Sequence, residues 1–105
     1  MAEHTVQSVN GISIRLTDER WVHISEGHPE MAGLYFDVLE TVNNPDLVVA
    51  GNEGGLLAVK LLTTGKSLVA IYKGTEIDDG FVITAFLTRR TSFIEKRKII
   101  WERQK

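Results

Sequence analysis

Two short alternating runs at the start of the chain predict a β-hairpin. The segment VQSVNGISIR places the dipeptide Asn10-Gly11 between these runs. This dipeptide is typical of a two-residue hairpin turn with a positive φ at both positions. We therefore expect two short strands joined by a tight turn.

A pair of helices is predicted next, with its corner in the segment HISEGHPE. Thr17 or Asp18 is a good N-cap for a helix over 18–26, and Gly27 is a typical terminator. Pro29 suits the first turn of a second helix, because its missing N–H costs nothing there. The apolar residues that follow at helical spacing, up to Asn43, are Met31, Leu34, Tyr35, Val38, Leu39 and Val42.

Apolar runs separated by glycine-containing breaks then predict an antiparallel meander. The predicted strands are 47–50, 56–62, 68–72 and 81–88. The tail TSFIEKRKIIWERQ returns to a helical pattern, with Ser92 as its cap. The predicted fold is therefore α+β. An N-terminal hairpin and two helices pack on a four-stranded antiparallel meander sheet, and a C-terminal helix follows.

Composition limits the class of protein. A chain of 105 residues fits a single domain, and 43% hydrophobic with 25% charged residues is ordinary for a soluble globular protein. No apolar run approaches the roughly 20 residues of a membrane span, so no membrane partner is expected. The absence of cysteine excludes thiolate metal sites and disulfides, and the first residues lack the pattern of a signal peptide. These features predict a cytoplasmic protein.

The net charge of −2 hides an asymmetry between the two parts of the chain. Residues 1–50 hold two basic and eight acidic residues, whereas residues 51–105 hold ten basic and six acidic residues. Most of the basic excess lies in the last 25 residues. Such a region can meet phosphates, and it is equally typical of the solvated face of a terminal helix.

Alternation within the predicted strands suggests a polar surface on the sheet. In FVITAFLTRR, it assigns the odd-numbered residues from Phe81 to Arg89 to the core and the even-numbered residues to the other side. In LLAVKLL, Lys60 is an isolated cation in an apolar run. A lone lysine is typical of the solvated side of a sheet. If the register permits, however, a cationic strip forms from Lys60, Thr84, Thr88 and Arg90.

The two histidines of HISEGHPE do not have the spacing of a metal site. His23 and His28 are five residues apart, which separates them by about 140° around a helix, and a glycine lies between them. No GxSxG elbow or phosphate-binding loop is present either. We therefore expect no metal and no cofactor. Each histidine has a structural alternative, His23 as a partly buried helix residue and His28 as a residue packed at the helix corner. A functional role favours His28, because an imidazole at the start of a helix is accessible.

Five motifs in this order resemble the BECR-type nuclease domains of phages and bacteria: RWVHISEGHPEM, VLETVNNPDLVV, LLAVK, SLVAIYK and FVITAFLTRR. That group includes barnase-like, EndoU-like, colicin-like and RelE-like ribonucleases. The resemblance covers about 14–90 of the single domain 1–105, and the predicted basic helix over 92–104 lies outside it. It implies a metal-independent ribonuclease, a hydrolase in which a 2′-hydroxyl of RNA attacks the adjacent phosphate.

The resemblance also implies roles for particular residues. The candidates for catalysis that it implies are His28, His23, Lys60 and Thr84. Those that it makes candidates for substrate binding are Thr88, Arg89 and Arg90. The implied partners are RNA and, for a toxin of a toxin-antitoxin pair, an antitoxin protein. The alternative is a non-catalytic module of the same fold that binds protein or nucleic acid through its sheet or its basic tail.

Overall fold

The computed structural model describes residues 3–75 and 78–104 of the chain. Within these residues it is an α+β fold, as predicted, with three α-helices and one mixed sheet. The helices are α1 (Asp18–Gly27), α2 (Tyr35–Asn43) and α3 (Ser92–Glu95). The strands are β1 (Glu3–Gln7), β2 (Ser13–Thr17), β3 (Leu47–Ala50), β4 (Leu56–Leu61), β5 (Ser67–Gly74), β6 (Asp79–Thr88) and β7 (Ile99–Glu102).

The sheet is larger than the sequence predicts. Its strand order is β1-β2-β6-β5-β4-β3-β7, and the predicted antiparallel meander forms its centre as β3 to β6. Strand β2 joins this meander in parallel with β6, through the pairing of Ser13–Arg15 with residues 79–81. The prediction of a four-stranded antiparallel sheet is therefore wrong in detail, because the hairpin and the tail add three strands.

The N-terminal hairpin forms, but its turn is not the predicted two-residue type. Residues 8–12 make a loop closed by the Ser8 N–H, which donates to the Ile12 carbonyl oxygen at 2.9 Å. Within this loop Gly11 has a positive φ of 80°, whereas Asn10 does not. Gly11 adopts this conformation without steric cost because it lacks a Cβ.

Local sequence signals place the first helix correctly and the second one only in part. Thr17 caps α1, and its hydroxyl accepts the Arg20 N–H at 3.1 Å. Pro29–Met31 forms a single 3₁₀ turn rather than the start of a long helix. Gly33 follows with a φ of 81°, which interrupts the helix before α2 begins.

The tail is the largest departure from the prediction. A helix was expected over 92–104, but α3 has only four residues, and the tail then pairs as β7 with β3. Trp101 lies opposite Val48 and Ile99 lies opposite Val49. Consecutive β-branched and aromatic residues favour a strand when a sheet edge is available, and β3 offers that edge.

Hydrophobic residues cover both faces of the sheet. On the face that we call the helix face, α1 and α2 pack on a core that includes Ile14, Leu16 and Ala85. On the opposite face, which we call the second face, Ile94 of α3 and half-buried Phe93 pack with Val49, Leu57, Val59 and Val69. Helix α3 lies between β6 and β7 along the chain, so the chain crosses this face to reach the far edge of the sheet.

Candidate active site

A bulge in β6 decides which of its side chains reach the second face. Thr84 pairs with Ile71, but Val82 pairs with Tyr72, so Ile83 is an extra residue in the strand. Simple alternation assigned Val82 to the outer side and Phe81 to the core. The bulge reverses this assignment, and Val82 is buried on the helix face. Beyond the bulge, Thr84, Phe86 and Thr88 lie on the second face, as alternation predicted.

His28 reaches this part of the second face from the end of α1. Its backbone N–H donates to the Ile24 carbonyl oxygen at 2.8 Å, and Pro29 turns the chain directly after it. The imidazole lies against Phe86, with the ring centroids 5.7 Å apart and the planes at 32°. Its side chain remains 38% exposed. The helix corner therefore presents an accessible imidazole against Phe86, whose neighbours on the same face of β6 are Thr84 and Thr88.

Glu30 contacts the same imidazole. One carboxylate oxygen lies 3.4 Å from His28 Nδ1, so this nitrogen faces Glu30 and Nε2 lies on the other side of the ring. A carboxylate at Nδ1 orients the imidazole ring of a histidine.

Lys60 does not belong to this group. It pairs with Leu68 and lies on the helix face, at the end of β4. Its Nζ donates to the Asn44 carbonyl oxygen at 2.9 Å, and a Glu40 carboxylate oxygen lies 3.8 Å away. A cation at the C-terminus of α2 is a favourable structural arrangement. The register therefore does not form the cationic strip of Lys60 with Thr84, since the two residues lie on opposite faces.

The remaining candidates lie at other positions around the site. His23 is exposed on α1 rather than partly buried. Arg89 and Arg90 are exposed where β6 ends, and Arg89 Nη1 donates to the Thr64 carbonyl oxygen at 3.5 Å. The Thr88 hydroxyl accepts the Arg90 N–H at 3.0 Å, which holds the turn after the strand.

Two cations on the second face were not among the predicted site residues. Arg15 of β2 and Lys73 of β5 lie opposite Phe81 on either side of β6. Arg15 Nη1 donates to Asp79 Oδ2 at 2.6 Å, and this hydrogen bond lowers the pKa of Asp79 and raises the pKa of Arg15. The alternation of SIRLT predicts that Arg15 lies opposite the core, but no local signal predicts that β2 pairs with β6.

The arginines of the basic tail contact turns of the fold. Arg97 Nη1 donates to the Ala50 carbonyl oxygen at 3.2 Å. Arg103 donates to Asp46 Oδ1 at 3.2 Å and to the Pro45 carbonyl oxygen at 3.0 Å. These contacts hold the chain at both ends of β3. Arg97 and Arg103 therefore have structural roles.

The described residues hold no cluster of three or more metal-ligating side chains. In residues 3–75 and 78–104 there is also no helix of the length and hydropathy needed to cross a membrane. The chain matches no protein-family model, no curated protein and no solved structure. A function for the chain must therefore rest on its residues and their geometry.

Proposed function

We propose that the protein is a metal-independent ribonuclease in which His28 transfers the proton at the reacting phosphate. The observation that supports this proposal is the position of His28 against Phe86, on the sheet face that carries Thr84 and Thr88. Cleavage by an internal 2′-hydroxyl needs an accessible acid or base and hydrogen-bond donors on one surface, and this face carries an imidazole and the Thr84 hydroxyl.

The proposed reaction starts with the 2′-hydroxyl of RNA. His28 accepts the 2′-hydroxyl proton, the 2′-oxygen forms a bond to phosphorus, and the bond from phosphorus to the 5′-oxygen breaks. The leaving 5′-oxygen takes a proton from water or from the imidazolium. The products are a 2′,3′-cyclic phosphate and a free 5′-hydroxyl. His28 Nδ1 faces Glu30, so Nε2 is the nitrogen that serves the substrate.

The transition state carries extra negative charge on the phosphate oxygens. Lys60 lies on the helix face and is excluded from this role by its position. The group that takes its place is the hydroxyl of Thr84, which lies on the second face two residues before Phe86. Hydrogen-bond donors and cations aimed at developing charge are the main source of rate acceleration in such sites.

A cleavage assay in EDTA tests the proposal with a matched pair of histidine variants. We expect the wild type to produce cyclic-phosphate ends, and we expect His28→Ala to lose about 100-fold or more of that activity. His23→Ala removes an exposed imidazole from the same helix and should retain activity. Lys60→Ala should also retain activity, with a small loss of stability. Thr84→Val should reduce the rate and leave the fold intact.

Two outcomes count against the ribonuclease. Cleavage that His28→Ala leaves unchanged would exclude the proposed proton transfer, and cleavage that EDTA abolishes would indicate a metal-dependent reaction. If no RNA is cleaved but RNA binds, the protein is a non-catalytic module that uses the same face. That alternative requires the second face and does not require an acid or base at His28.

The proposal extends to a toxin that an antitoxin protein would bind, and such a toxin should arrest the growth of bacteria. Expression of an active ribonuclease in a bacterial cell should arrest growth, and His28→Ala should relieve the arrest while the protein accumulates to the same level. Equal growth arrest by the wild type and by His28→Ala would show that the toxicity does not depend on the proposed proton transfer.

A further inference from the structure

A row of aromatic rings crosses the second face beside the candidate active site. The His28 and Phe86 rings are 5.7 Å apart, and the Phe86 and Phe93 rings are 6.1 Å apart with planes at 37°. Both phenylalanines are half-buried, so each ring packs on the sheet and keeps part of its surface in solvent. Rings of this kind are platforms on which nucleobases stack.

A group of cations lies at the C-terminal end of β6, beyond Phe86. Arg89 and Arg90 come directly after Thr88, and Thr88 pairs with Ser67, the residue that follows Lys66. Arg89 Nη1 donates to the Thr64 carbonyl oxygen, which brings the β4–β5 loop to the arginine. Among residues 3–75 and 78–104, no salt bridge joins any of these three cations to a carboxylate.

The opposite end of β6 is different in charge. There Arg15 is paired with Asp79, so its charge is balanced within the protein. Lys73 of β5 also lies at that end, so the described residues place one cation without a salt bridge there and three at the Arg89 end, which is next to Phe86. An anionic polymer that follows β6 gains attraction at that end and base stacking next to it.

We propose that this surface binds an unpaired segment of RNA, with one base stacked on Phe86 beside His28 and the adjoining phosphates at Arg89 and Arg90. The inference rests on the proposed ribonuclease for the choice of RNA. Stacking on a protein ring requires a base that is free of its own helix, because paired bases are already stacked on their neighbours. The site thus selects loops and single strands over duplexes.

Binding of an oligonucleotide that cannot be cleaved tests this inference apart from catalysis. The probe is a fluorescent 12-nucleotide 2′-O-methyl RNA, single-stranded or annealed to its complement, with affinity measured by anisotropy. We expect the wild type to bind the single strand at least about 10-fold more tightly than the duplex. Phe86→Leu should weaken single-strand binding about 5- to 100-fold. Phe36→Leu changes an exposed phenylalanine on α2 and should have no effect.

A second pair of substitutions tests the phosphate contacts without touching the packed rings. Arg89→Gln with Arg90→Gln should reduce the slope of log affinity against log salt by about 1.4, since each released phosphate contact contributes about 0.7 for single strands. Both arginines are exposed, so this variant should fold like the wild type, which circular dichroism checks.

The outcomes separate this inference from the ribonuclease itself. Equal affinity for single strand and duplex, with Phe86→Leu unchanged, would overturn the inference and leave the cleavage proposal standing. Preferred single-strand binding without any cleavage of ordinary RNA would support the inference and remove the catalytic proposal.

Discussion

Tyr72 and Tyr35 differ in the hydrogen bonding of their hydroxyl groups. Their phenylalanine variants should therefore change stability in opposite directions. Tyr72 is 1% exposed, and its hydroxyl has no hydrogen-bond partner in the described part of the chain. The nearby Ser8 hydroxyl donates to Asn10 Oδ1 instead. Tyr35 donates its hydroxyl to the Leu16 carbonyl oxygen at 2.7 Å.

The magnitudes follow from these contacts. A buried hydroxyl without a partner costs about 1–3 kcal/mol, so Tyr72→Phe should raise the free energy of unfolding by about 1 kcal/mol or more. A satisfied hydrogen bond contributes about 1 kcal/mol, so Tyr35→Phe should lower the free energy of unfolding by about that amount. Urea unfolding at pH 7, followed by circular dichroism, measures both changes. Equal losses in the two variants would show that the Tyr72 hydroxyl has a partner and would refute this reasoning.

Alkaline pH provides an independent measure of the same burial. Burial raises the pKa of Tyr72 from 10.0 to about 12, against a smaller opposing effect of the Ser8 hydroxyl. The unfolded chain therefore releases this proton first as the pH rises. The stabilising contribution is complete below pH 10 and is lost by about pH 12, a loss of about 3 kcal/mol for two pKa units. Tyr72→Phe should show a smaller loss. Burial also raises the pKa of Tyr35, so some alkaline loss should remain.

Three further predictions concern stability. Gly80→Ala should lower the free energy of unfolding by about 1–3 kcal/mol, because a Cβ there would clash with the Lys73 carbonyl oxygen of β5. Gly27→Ala, where a Cβ meets open space, is the control, and an equal loss would contradict the reasoning. Thr17→Ala should cost about 1 kcal/mol through the lost cap of α1 in thermal unfolding, whereas Thr17→Ser should retain most of that stability. The hydrogen bond from Arg15 lowers the pKa of Asp79 below its ordinary 3.8. The stability that it contributes is present above about pH 4 and is lost at lower pH, so Asp79→Asn should flatten the acid side of the stability profile. An unchanged profile would show that the pair contributes nothing.

The elements that the sequence predicts correctly depend on neighbouring residues. Thr17 and the carboxylates after it signal the start of α1, and Gly27 lies at its end. The meander strands are continuous apolar runs with turn residues between them, and each pairs with the next along the chain. Such signals are readable because the residues that decide them are only a few positions apart.

The elements that the sequence misses depend on distant partners. The tail has helical spacing, but residues 99–102 form a strand because β3 presents an open edge about 50 residues earlier in the chain. The parallel pairing of β2 with β6 joins residues that are about 65 positions apart. Propensity is a weak guide where a sheet edge can override it.

The candidate site shows the same division. The sequence by itself determines that His28 stands at a helix corner and that Thr84 and Thr88 alternate on one strand. Only the tertiary structure decides that a bulge at Ile83 keeps Val82 in the core and that Lys60 lies on the other face. The physical reason is the two-residue period of a strand. One extra residue in a strand reverses the faces to which the side chains before it point. Only the packing on both faces of the sheet decides where that extra residue lies.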